Sequence, residues 1–396
     1  MAPPPGAWDE TAEPFDSAGS PSAHGKKIGK ASTRRRRALL YTLAALILVL
    51  TASGTYVYNL GRIYDSKTTK IEDVFPDESL RPPPRAVPGT APQGTRPNDP
   101  DSPSSTNPAG PGISNLASPI RTGAPVNILL LGSDSRNEVL ETASSGSASN
   151  QRADTIMLLH IPADRSTVYS ISLMRDLWVR IPGNGSAKIN AALAFGGVPL
   201  MVRTIEDLLQ QRIDHVAMID FAGFKELTDG LGGVEVTIDK PFTSYHDHFE
   251  FSAGKNKLNG ERALAFVRER YAYSDGDYQR VRNQQAFLRA VVGKALSAGT
   301  LGNPMLVHNL LDVTAPYISV DAGLDAATVG SLALSLRDIR KDDVVFFTLP
   351  TSGTGRSGDG QSIVVPDLSA IRAMAAALGN DSLGDYVAEK GLGDGN

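Results

Sequence analysis

The sequence predicts a protein of the α/β class, with a layered fold that is preceded by one transmembrane helix and a disordered linker. Three observations lead to this prediction. An uncharged apolar run occupies residues 38–58, a proline-rich segment follows it, and apolar strands alternate with helical patterns from Val126 onward. Strands that alternate with helices are typical of sheets whose faces are covered by helices.

The N-terminal part is predicted to anchor the chain in a membrane. Residues 1–37 are small, polar and basic, which is typical of a disordered cytoplasmic tail. The uncharged run 38–58, at about 1.5 Å per residue, is long enough to cross a hydrocarbon core of ~30 Å. Four arginines at 34–37 hold the N-terminus in the cytoplasm by the positive-inside rule. The run is longer than the apolar region of a cleaved signal peptide, so we expect a single-pass anchor in the cell membrane and an extracytoplasmic remainder.

Residues 59–125 are predicted to form an extracytoplasmic linker. Half of the 26 prolines of the chain lie between positions 76 and 125. Such a composition favours a semi-extended spacer rather than a packed element. At the other end of the chain, residues 386–396 are glycine-rich and are predicted to be frayed.

The folded region is predicted to begin at Val126. Continuous apolar runs at 126–131, 155–161 and 167–173 predict strands that are buried on both faces. The further predicted elements are a helix at 198–209, a strand at 234–238, a strand at 343–350 and a helix at 367–378. We assign 126–300 to the main part of the domain and 301–385 to the C-terminal part of the same domain. A separate C-terminal subdomain remains open.

Composition excludes some classes of function. The chain has no cysteine, so it has neither a disulfide framework nor a thiolate metal site. A formal net charge of −4 gives no general case for nucleic-acid binding, and an exported domain does not meet the chromosome, so no nucleic-acid partner is expected. No G-x-S-x-G, Walker A or H-E-x-x-H motif indicates serine hydrolase, NTPase or zincin chemistry.

Aspartates accompanied by arginines stand at successive boundaries of the predicted strands. The pairs are Asp134 with Arg136 after the first strand, Arg152 with Asp154 before the second, and Arg175 with Asp176 after the third. An aspartate in a turn is ordinarily a turn former, but turn chemistry does not require accompanying arginines. Because ligands of α/β folds bind at strand ends, we expect a binding site at these boundaries.

A second group of charged residues lies in the segment 267–285. A helix is predicted from Asp277 to Leu296, and on it Asp277, Arg280 and Gln284 share one face. An ordinary surface ion pair between Asp277 and Arg280, worth a few tenths of a kcal/mol, is the simplest alternative.

The arginines that precede this helix lead to a second prediction, which concerns where the preceding helix ends. Arg268 and Arg270 point the same way only in an extended segment, so we expect the preceding helix to unwind near Val267. The alternative of a surface ion pair between Asp277 and Arg280 does not explain the presence of Arg268 and Arg270. Guanidinium groups beside carboxylates suit a pyrophosphate with a divalent cation.

Several blocks of the chain, in order from about Val126 to about Leu296, resemble the LytR-CpsA-Psr (LCP) family of bacterial cell-wall glycopolymer ligases. The blocks are NILLLGSDSR, RADTIMLLHI, SISLMRDLWVRIPG, KINAALAFGG, FKELTDGLGGVEV and LNGERALAFVRER followed by DGDYQRVRNQQ. The resemblance implies an α/β/α layered sandwich with a central mixed sheet and an apolar tunnel for a polyprenyl chain. It makes 126–300 the catalytic domain of a transferase. Its partners are then a polyprenyl-pyrophosphate-linked glycopolymer, peptidoglycan and the membrane.

The resemblance also implies roles for individual residues. Asp134 and Asp154 are expected to hold Mg²⁺. The residues expected to bind the pyrophosphate head group are Arg152, Arg175, Arg268, Arg270, Arg280 and Gln284. The residues expected to be catalytic are Asp134, Asp154, Arg175 and Asp277. Whether Asp154 or Asp277 deprotonates the acceptor hydroxyl remains open.

The chain departs from the family pattern at two places. A serine-rich insert at 138–150 lengthens the loop between the metal-binding blocks, and Asn283 stands where an arginine is common. Arg282 is not expected to replace that arginine, because it lies one step around the helix. Arg180 and Lys188 could reach the phosphates or the glycan, but each is interpreted as a solvated surface charge. His160 is interpreted as a core histidine, and the pair His246 and His248 as a polar loop rather than a metal site.

Two other functions remain open from the sequence. One is a non-catalytic polyprenyl-phosphate-binding regulator of the envelope, and the other is a polyprenyl pyrophosphatase that uses water as the acceptor. The kind of glycopolymer, whether teichoic acid, arabinogalactan or capsule, and the oligomeric state are also open.

Overall fold

The structure of the protein is a computed structural model, which describes residues 30–84, 123–133, 153–273 and 275–393. The chain divides into two compact units, Met1–Tyr56 and Val57–Asn396. The helices in chain order are α1 (Lys30–Lys67), α2 (Ala191–Leu209), α3 (Phe221–Gly230), α4 (Gly260–Arg268), α5 (Asp277–Ala295), α6 (Ala298–Leu301), α7 (Pro304–Thr314), α8 (Ala326–Ser335), α9 (Leu368–Gly379) and α10 (Leu383–Lys390).

The strands follow the same order along the chain. They are β1 (Thr69–Ile71), β2 (Val126–Ser133), β3 (Ala153–Ile161), β4 (Val168–Leu173), β5 (Trp178–Ile181), β6 (Gly185–Lys188), β7 (His215–Asp220), β8 (Val234–Ile238), β9 (Phe242–Thr243), β10 (Glu250–Phe251), β11 (Gly254–Leu258), β12 (Ile318–Asp321), β13 (Val344–Thr348), β14 (Thr351–Arg356) and β15 (Ser362–Pro366).

The predicted membrane span 38–58 lies within the bounds of α1. Among the residues that the structure describes, no helix combines the length and the apolar character needed to cross a membrane. Residues 30–37 of the predicted disordered tail are helical instead. The rest of that tail, 1–29, lies outside the described residues.

A mixed sheet forms the centre of the fold, as predicted. The described residues form a sheet of seven strands in the order β1-β12-β7-β2-β3-β4-β13. The pairs β1 with β12, β7 with β2, and β4 with β13 are parallel, whereas the others are antiparallel. β12 and β13 come from the C-terminal part of the chain, so residues after 300 complete the same sheet.

The first face of the sheet packs against α2, α9 and α10. Leu129, Leu158 and Ile171 project from the strands into one buried apolar cluster with residues of these helices. α2 bends where Gly196 and Gly197 leave helical geometry, and Gly197 takes a φ of +64°, which a side chain disfavours. The predicted helix at 198–209 is therefore the second half of a longer, kinked helix.

The second face of the sheet is covered by α3, α4 and α5, which pack with β8 and β11 into a separate apolar cluster. A further cluster on this side gathers Tyr64, Val320 and Leu332 beneath α8. Helices therefore cover both faces, which is the α/β/α sandwich that was predicted. α4 ends at Arg268 and α5 begins at Asp277, close to the predicted positions.

The linker prediction is wrong for residues 59–84. α1 continues to Lys67, β1 pairs with β12, and Ile71, Val74 and Phe75 are buried in the first-face cluster. The proline count was dominated by positions after 81, and the apolar residues before them pack like any core segment. Residues 85–122 of the predicted linker lie outside the described residues.

The prediction of a frayed tail at 386–396 is also wrong for its first residues. α10 extends to Lys390, and Tyr386, Val387 and Leu392 are buried. Leu383, Tyr386 and Val387 lie at helical spacing and pack on the first face. The glycines of this segment concealed that short apolar pattern.

Candidate active site

The three strand boundaries that carry aspartates and arginines meet at one edge of the sheet. β2 runs antiparallel to β3, and β3 runs antiparallel to β4, so the end of β2 lies beside the start of β3 and the end of β4. Ser133 pairs with Ala153, and Ile156 pairs with Leu173. Residues that are distant in sequence are therefore brought together by the strand register alone.

A cavity of about 280 Å³ opens at this edge, between the second face of the sheet and α3, α4 and α5. We call it the apolar cavity. Its interior side chains include Leu130, Met157, Ile219, Phe221, Phe224, Leu264, Val267, Phe287 and Leu288. Such a lining has a high affinity for hydrocarbon and offers few hydrogen-bonding groups.

Charged and polar side chains line the same apolar cavity. They are Asp154, Arg175, Asp220, His246, Arg268, Arg270, Arg280 and Gln284. Six of these, all except Asp220 and His246, were predicted as site residues from the sequence. These six predicted residues therefore converge on one cavity rather than facing solvent separately, and Asp277, which does not line the cavity, contacts Arg280 beside it. Asp134 and Arg152 lie outside the described residues, and their roles remain predictions.

Arg175 and Asp154 form an ion pair across the start of β3. Arg175 Nη1 donates a hydrogen bond to Asp154 Oδ1 at 2.5 Å. Burial opposes the charge of Arg175, but Asp154, Asp176 and Asp277 together raise its pKa above the ordinary value. Arg175 is thus a fixed cation that is held by carboxylates at the edge of the cavity.

Asp277 lies at the first turn of α5, among arginines. Its Oδ1 is 3.0 Å from Nη1 of Arg280 and 3.9 Å from Nη1 of Arg270. Burial raises the pKa of the Asp277 carboxyl, and the hydrogen-bonded Asp176 carboxylate raises it further, against the opposing effect of Arg280. Burial also lowers the pKa of Arg280 to about 10, which leaves it protonated at neutral pH. The predicted helical face that carries Asp277, Arg280 and Gln284 is confirmed.

Asp176, which the sequence placed at a boundary of the expected site, pairs there with Lys188, which was interpreted as a surface charge. Lys188 Nζ is 3.1 Å from Asp176 Oδ1. Burial opposes the charge of Asp176, but the hydrogen bond to Asp277 and the charges of Arg175 and Lys188 lower its pKa. The interpretation of Lys188 as a solvated surface charge is therefore wrong. The adjacent Arg175–Asp176 pair was a signal in the sequence, but nothing there linked it to Lys188.

A buried glutamate shapes the loop that carries Arg270. Glu269 is 3% exposed, and its carboxylate accepts hydrogen bonds from the backbone N–H groups of Tyr245, Arg270, Tyr271 and Ala272. This single side chain ties the 244–248 loop to the segment after α4. It replaces the helical hydrogen bonds that end at Arg268, which is why the helix unwinds there.

Aromatic rings hold the guanidinium groups at the cavity mouth. The Arg268 guanidinium lies 4.8 Å from the centroid of the Phe221 ring, and that of Arg270 lies 4.5 Å from the Tyr271 ring. Gln284 Nε2 donates to Thr155 Oγ1 at 3.2 Å. These contacts fix side chains that would otherwise sample many rotamers.

Residues that were interpreted as structural keep that role. Asn283 donates to the Phe266 carbonyl, and Arg282 pairs with Asp275 away from the apolar cavity. His160 is buried and contacts Asn127 Oδ1 at 2.8 Å. Within the described ranges, no cluster of three or more His, Asp or Glu side chains is placed to hold a metal ion.

The fold and the cavity define a class of protein: an α/β/α sandwich with a mixed sheet and an apolar cavity whose mouth carries arginines and aspartates. The chain belongs to the LytR_cpsA_psr family, whose model matches residues 96–379.

Curated relatives carry names from cell-wall biosynthesis. The chain is 29% identical over 283 residues to the cell wall biosynthesis protein LcpA of Corynebacterium glutamicum, a match that covers 62% of this chain and 54% of LcpA. It is 34% identical over 244 residues to the polyisoprenyl-teichoic acid–peptidoglycan teichoic acid transferase TagU of Enterococcus faecalis, covering 60% of this chain and 73% of TagU. The match thus spans about half the length of LcpA.

Solved structures share the fold. Bacillus subtilis TagV aligns with a TM-score of 0.55 at 22% identity, covering 66% of this chain and 98% of TagV. A LytR-Csp2A-Psr enzyme from Actinomyces oris aligns with a TM-score of 0.53 at 26% identity, covering 67% of this chain and 94% of that enzyme.

Proposed function

We propose that the protein is a membrane-anchored transferase that moves a glycopolymer from a polyprenyl-pyrophosphate carrier to a peptidoglycan hydroxyl. One observation carries the proposal: an apolar interior and a mouth lined with arginines belong to the same cavity. A polyprenyl pyrophosphate has the same division into a hydrocarbon chain and an anionic head group. The name of the relative TagU, a polyisoprenyl-teichoic acid–peptidoglycan teichoic acid transferase, supports the same activity, and the name of LcpA supports a role in cell wall biosynthesis.

The apolar cavity binds the isoprenoid chain in this proposal. Phe224, Leu264 and Phe287 supply aromatic and branched surfaces without hydrogen-bonding groups. Burial of hydrocarbon contributes roughly 25 cal/mol per Å² of apolar surface removed from water. The isoprenoid chain of the carrier therefore supplies affinity, whereas its pyrophosphate head group supplies orientation.

The arginines bind the pyrophosphate. Arg175, Arg268, Arg270 and Arg280 line the cavity near its charged edge, and Arg152 is proposed to join them. Guanidinium forks match phosphate oxygens in pairs and keep their charge throughout the physiological pH range. Gln284 supplies a further polar contact in the same cavity.

The transfer step itself requires a group that takes the proton of the acceptor hydroxyl. The acceptor oxygen forms a bond to the phosphorus that bears the glycopolymer, and the bridging P–O bond breaks, so polyprenyl phosphate leaves. Asp277 is proposed to take the hydroxyl proton, because its carboxylate lies among the arginines of the site, 3.0 Å from Arg280 Nη1 and 3.9 Å from Arg270 Nη1. Arg175, Arg270 and Arg280 stabilise the charge that develops on the phosphate oxygens.

Asp154 and Asp134 are proposed to hold Mg²⁺. Asp154 fits this role, because it is an anionic oxygen donor that lines the cavity beside the arginines. A bound Mg²⁺ neutralises charge on the pyrophosphate oxygens. Isothermal titration of the protein with MgCl₂ tests this point without the reaction, and Asp154→Ala is expected to abolish the binding heat.

The membrane anchor is proposed to be the uncharged run 38–58 within α1. The arginines at 34–37 place the N-terminus in the cytoplasm, and the folded domain then meets peptidoglycan outside the cell. Protease added to intact cells, compared with lysed cells, tests this orientation through cleavage of the domain.

The direct test is incubation of the protein with Mg²⁺, a defined lipid-linked glycan and peptidoglycan oligomers, followed by mass analysis of the acceptor. The proposal predicts an acceptor that gains the glycan and a phosphodiester. Release of polyprenyl phosphate without a modified acceptor indicates a pyrophosphatase. Binding of the carrier with no turnover indicates a non-catalytic regulator.

A further inference from the structure

The domain carries a second concavity, which we call the hairpin groove. It lies between the β5–β6 hairpin, α2 and α9, and has a volume of about 760 Å³. The residues that matter here are Trp178, Arg180, Arg203, Asp207, Leu368 and Arg372. The groove is on the side of the first face, whereas the apolar cavity is on the side of the second face.

Arginines make the hairpin groove cationic. Arg180 and Arg372 are exposed, and Asp207 is the acidic residue among the described residues that line the groove. Arg203 differs from them, because its Nε is buried and has no hydrogen-bond partner within the described part of the chain. Arg203 nevertheless lines the groove and adds to its positive charge.

Apolar surface lies beside these charges. Trp178 is half-buried in the groove, and Leu368 leaves 51% of its surface exposed. An aromatic ring offers a flat face to the apolar face of a sugar, and arginine forks bind carboxylates or phosphates. The combination suits a saccharide that carries acidic groups.

The hairpin that borders the groove begins and ends beside a carboxylate of the candidate active site. β5 begins two residues after Asp176, and β6 ends at Lys188, which contacts the Asp176 carboxylate. Trp178 pairs with Lys188 across the hairpin. Two residues of extended chain span about 7 Å, so the end of the groove lies beside the carboxylates at the cavity mouth.

We propose that the hairpin groove binds the acceptor, a carboxylate-bearing glycan strand of peptidoglycan, and directs its hydroxyl toward the head group in the apolar cavity. This assignment rests on the proposed function. The donor is held by its hydrocarbon chain on the side of the second face, so a groove on the side of the first face leaves room for a second substrate. The phosphodiesters of a glycopolymer share the anionic saccharide chemistry, and the experiment separates the two.

Direct binding tests the groove without the reaction. The chain contains two tryptophans, Trp8 and Trp178, so the full chain with Trp8→Phe reports the groove through the fluorescence of Trp178 alone. We expect a soluble peptidoglycan fragment to change this fluorescence. In the double variant Arg180→Ala with Arg372→Ala, the Kd of the fragment should rise at least about tenfold. Arg337→Ala, an exposed arginine outside the groove, is the matched control and should leave the Kd unchanged.

Two outcomes of the titration overturn the assignment. A fluorescence change with soluble anionic glycopolymer, but not with the peptidoglycan fragment, shows that the groove binds the glycopolymer of the donor and not the acceptor. The absence of a response to either saccharide removes the groove as a binding site. Because fluorescence does not depend on turnover, a protein that lacks transferase activity can still bind the fragment, and the two proposals fail separately.

Steady-state kinetics supply the second measurement. The Arg180→Ala, Arg372→Ala double variant should raise the KM for the peptidoglycan acceptor about tenfold and leave the KM for the lipid-linked donor unchanged. Arg203→Lys, which keeps the charge but not the guanidinium fork, should give a smaller rise. A change confined to the donor KM contradicts the assignment of the groove to the acceptor.

Discussion

At the scale of single residues, the site depends on carboxylates that share their environment with arginines. The sequence predicted Asp154, Arg175, Arg268, Arg270, Arg280 and Gln284, and all of them line the apolar cavity. It placed Asp176 at a boundary of the expected site, but it did not predict the contacts of Asp176 with Lys188 and Asp277 or the role of Glu269. These residues act through other protein groups, and such pairings become visible only when the chain is folded.

Asp154→Asn tests the carboxylate that accepts a hydrogen bond from Arg175. The amide removes the charge but keeps the size, so the arginines should still bind the carrier, and transfer should fall at least about 10²-fold. Transfer is measured by mass analysis of the acceptor, and carrier binding is measured separately. Asp338→Asn, at a position whose side chain is 85% exposed, serves as control. Unchanged transfer removes Asp154 from the mechanism.

Asp277→Asn tests the raised pKa of the Asp277 carboxyl. The folded state holds this proton to a higher pH than the unfolded state, whose carboxyl has the ordinary value of 3.8. Between the unfolded-state pKa and the higher folded-state pKa, the folded state therefore binds more protons than the unfolded state. The unfolding free energy of the wild type falls as pH rises through this range. The asparagine does not titrate, so the variant should gain stability relative to the wild type as pH rises, up to a plateau above the folded pKa.

The measurement for this variant is denaturant unfolding across a pH series that runs from below the ordinary carboxyl range to above neutrality. The difference between variant and wild type should grow with pH and then become constant. A difference that stays flat, or that shrinks with rising pH, contradicts the account of the carboxyl pair.

At the scale of elements, the site depends on where helices end. The sequence predicted that α4 unwinds before Arg270 and that α5 presents one charged face, because helical spacing and the need of Arg268 and Arg270 to point the same way were visible. It did not predict the loop after α4. That loop takes its shape from Glu269, whose backbone partners come from two separate segments.

Glu269→Ala tests the loop. The substitution leaves several backbone N–H groups without an acceptor, and we expect a loss of about 2–3 kcal/mol in unfolding free energy together with weaker carrier binding through Arg270. Glu235→Ala is the matched control. Glu235 is 56% exposed and pairs with Lys255 on the surface, so its loss should cost less than about 1 kcal/mol. Equal effects of the two variants contradict the proposed role of Glu269.

At the scale of the whole molecule, strand register brings the site together. Antiparallel pairing of β2, β3 and β4 places three sequence boundaries at one edge. The sequence predicted a site at these boundaries but not the antiparallel pairing that brings them together. The participation of residues 59–84 in the domain was not predicted either, because composition marked this region as a spacer. Their burial depends on partners more than a hundred residues away, such as Glu206 for Arg81.

Arg81→Met tests whether this segment is part of the domain. Arg81 Nη2 lies 2.7 Å from Glu206 Oε1, and the Glu206 side chain is 1% exposed. Methionine keeps the apolar stem but leaves a buried carboxylate uncompensated, so the unfolding free energy should fall by about 3–5 kcal/mol. Arg337→Met, on the surface, should change it by less than about 0.5 kcal/mol. A loss of that small size at Arg81 contradicts the packing of residues 57–84 onto the domain.

The most direct test of the central claim is a crystal structure of the protein with a polyprenyl pyrophosphate that carries a short saccharide. The account predicts that the hydrocarbon chain lies against Phe224, Leu264 and Phe287, and that the pyrophosphate oxygens accept hydrogen bonds from Arg175, Arg268 and Arg270. A lipid bound elsewhere on the domain, or a pyrophosphate that makes no contact with these arginines, contradicts it.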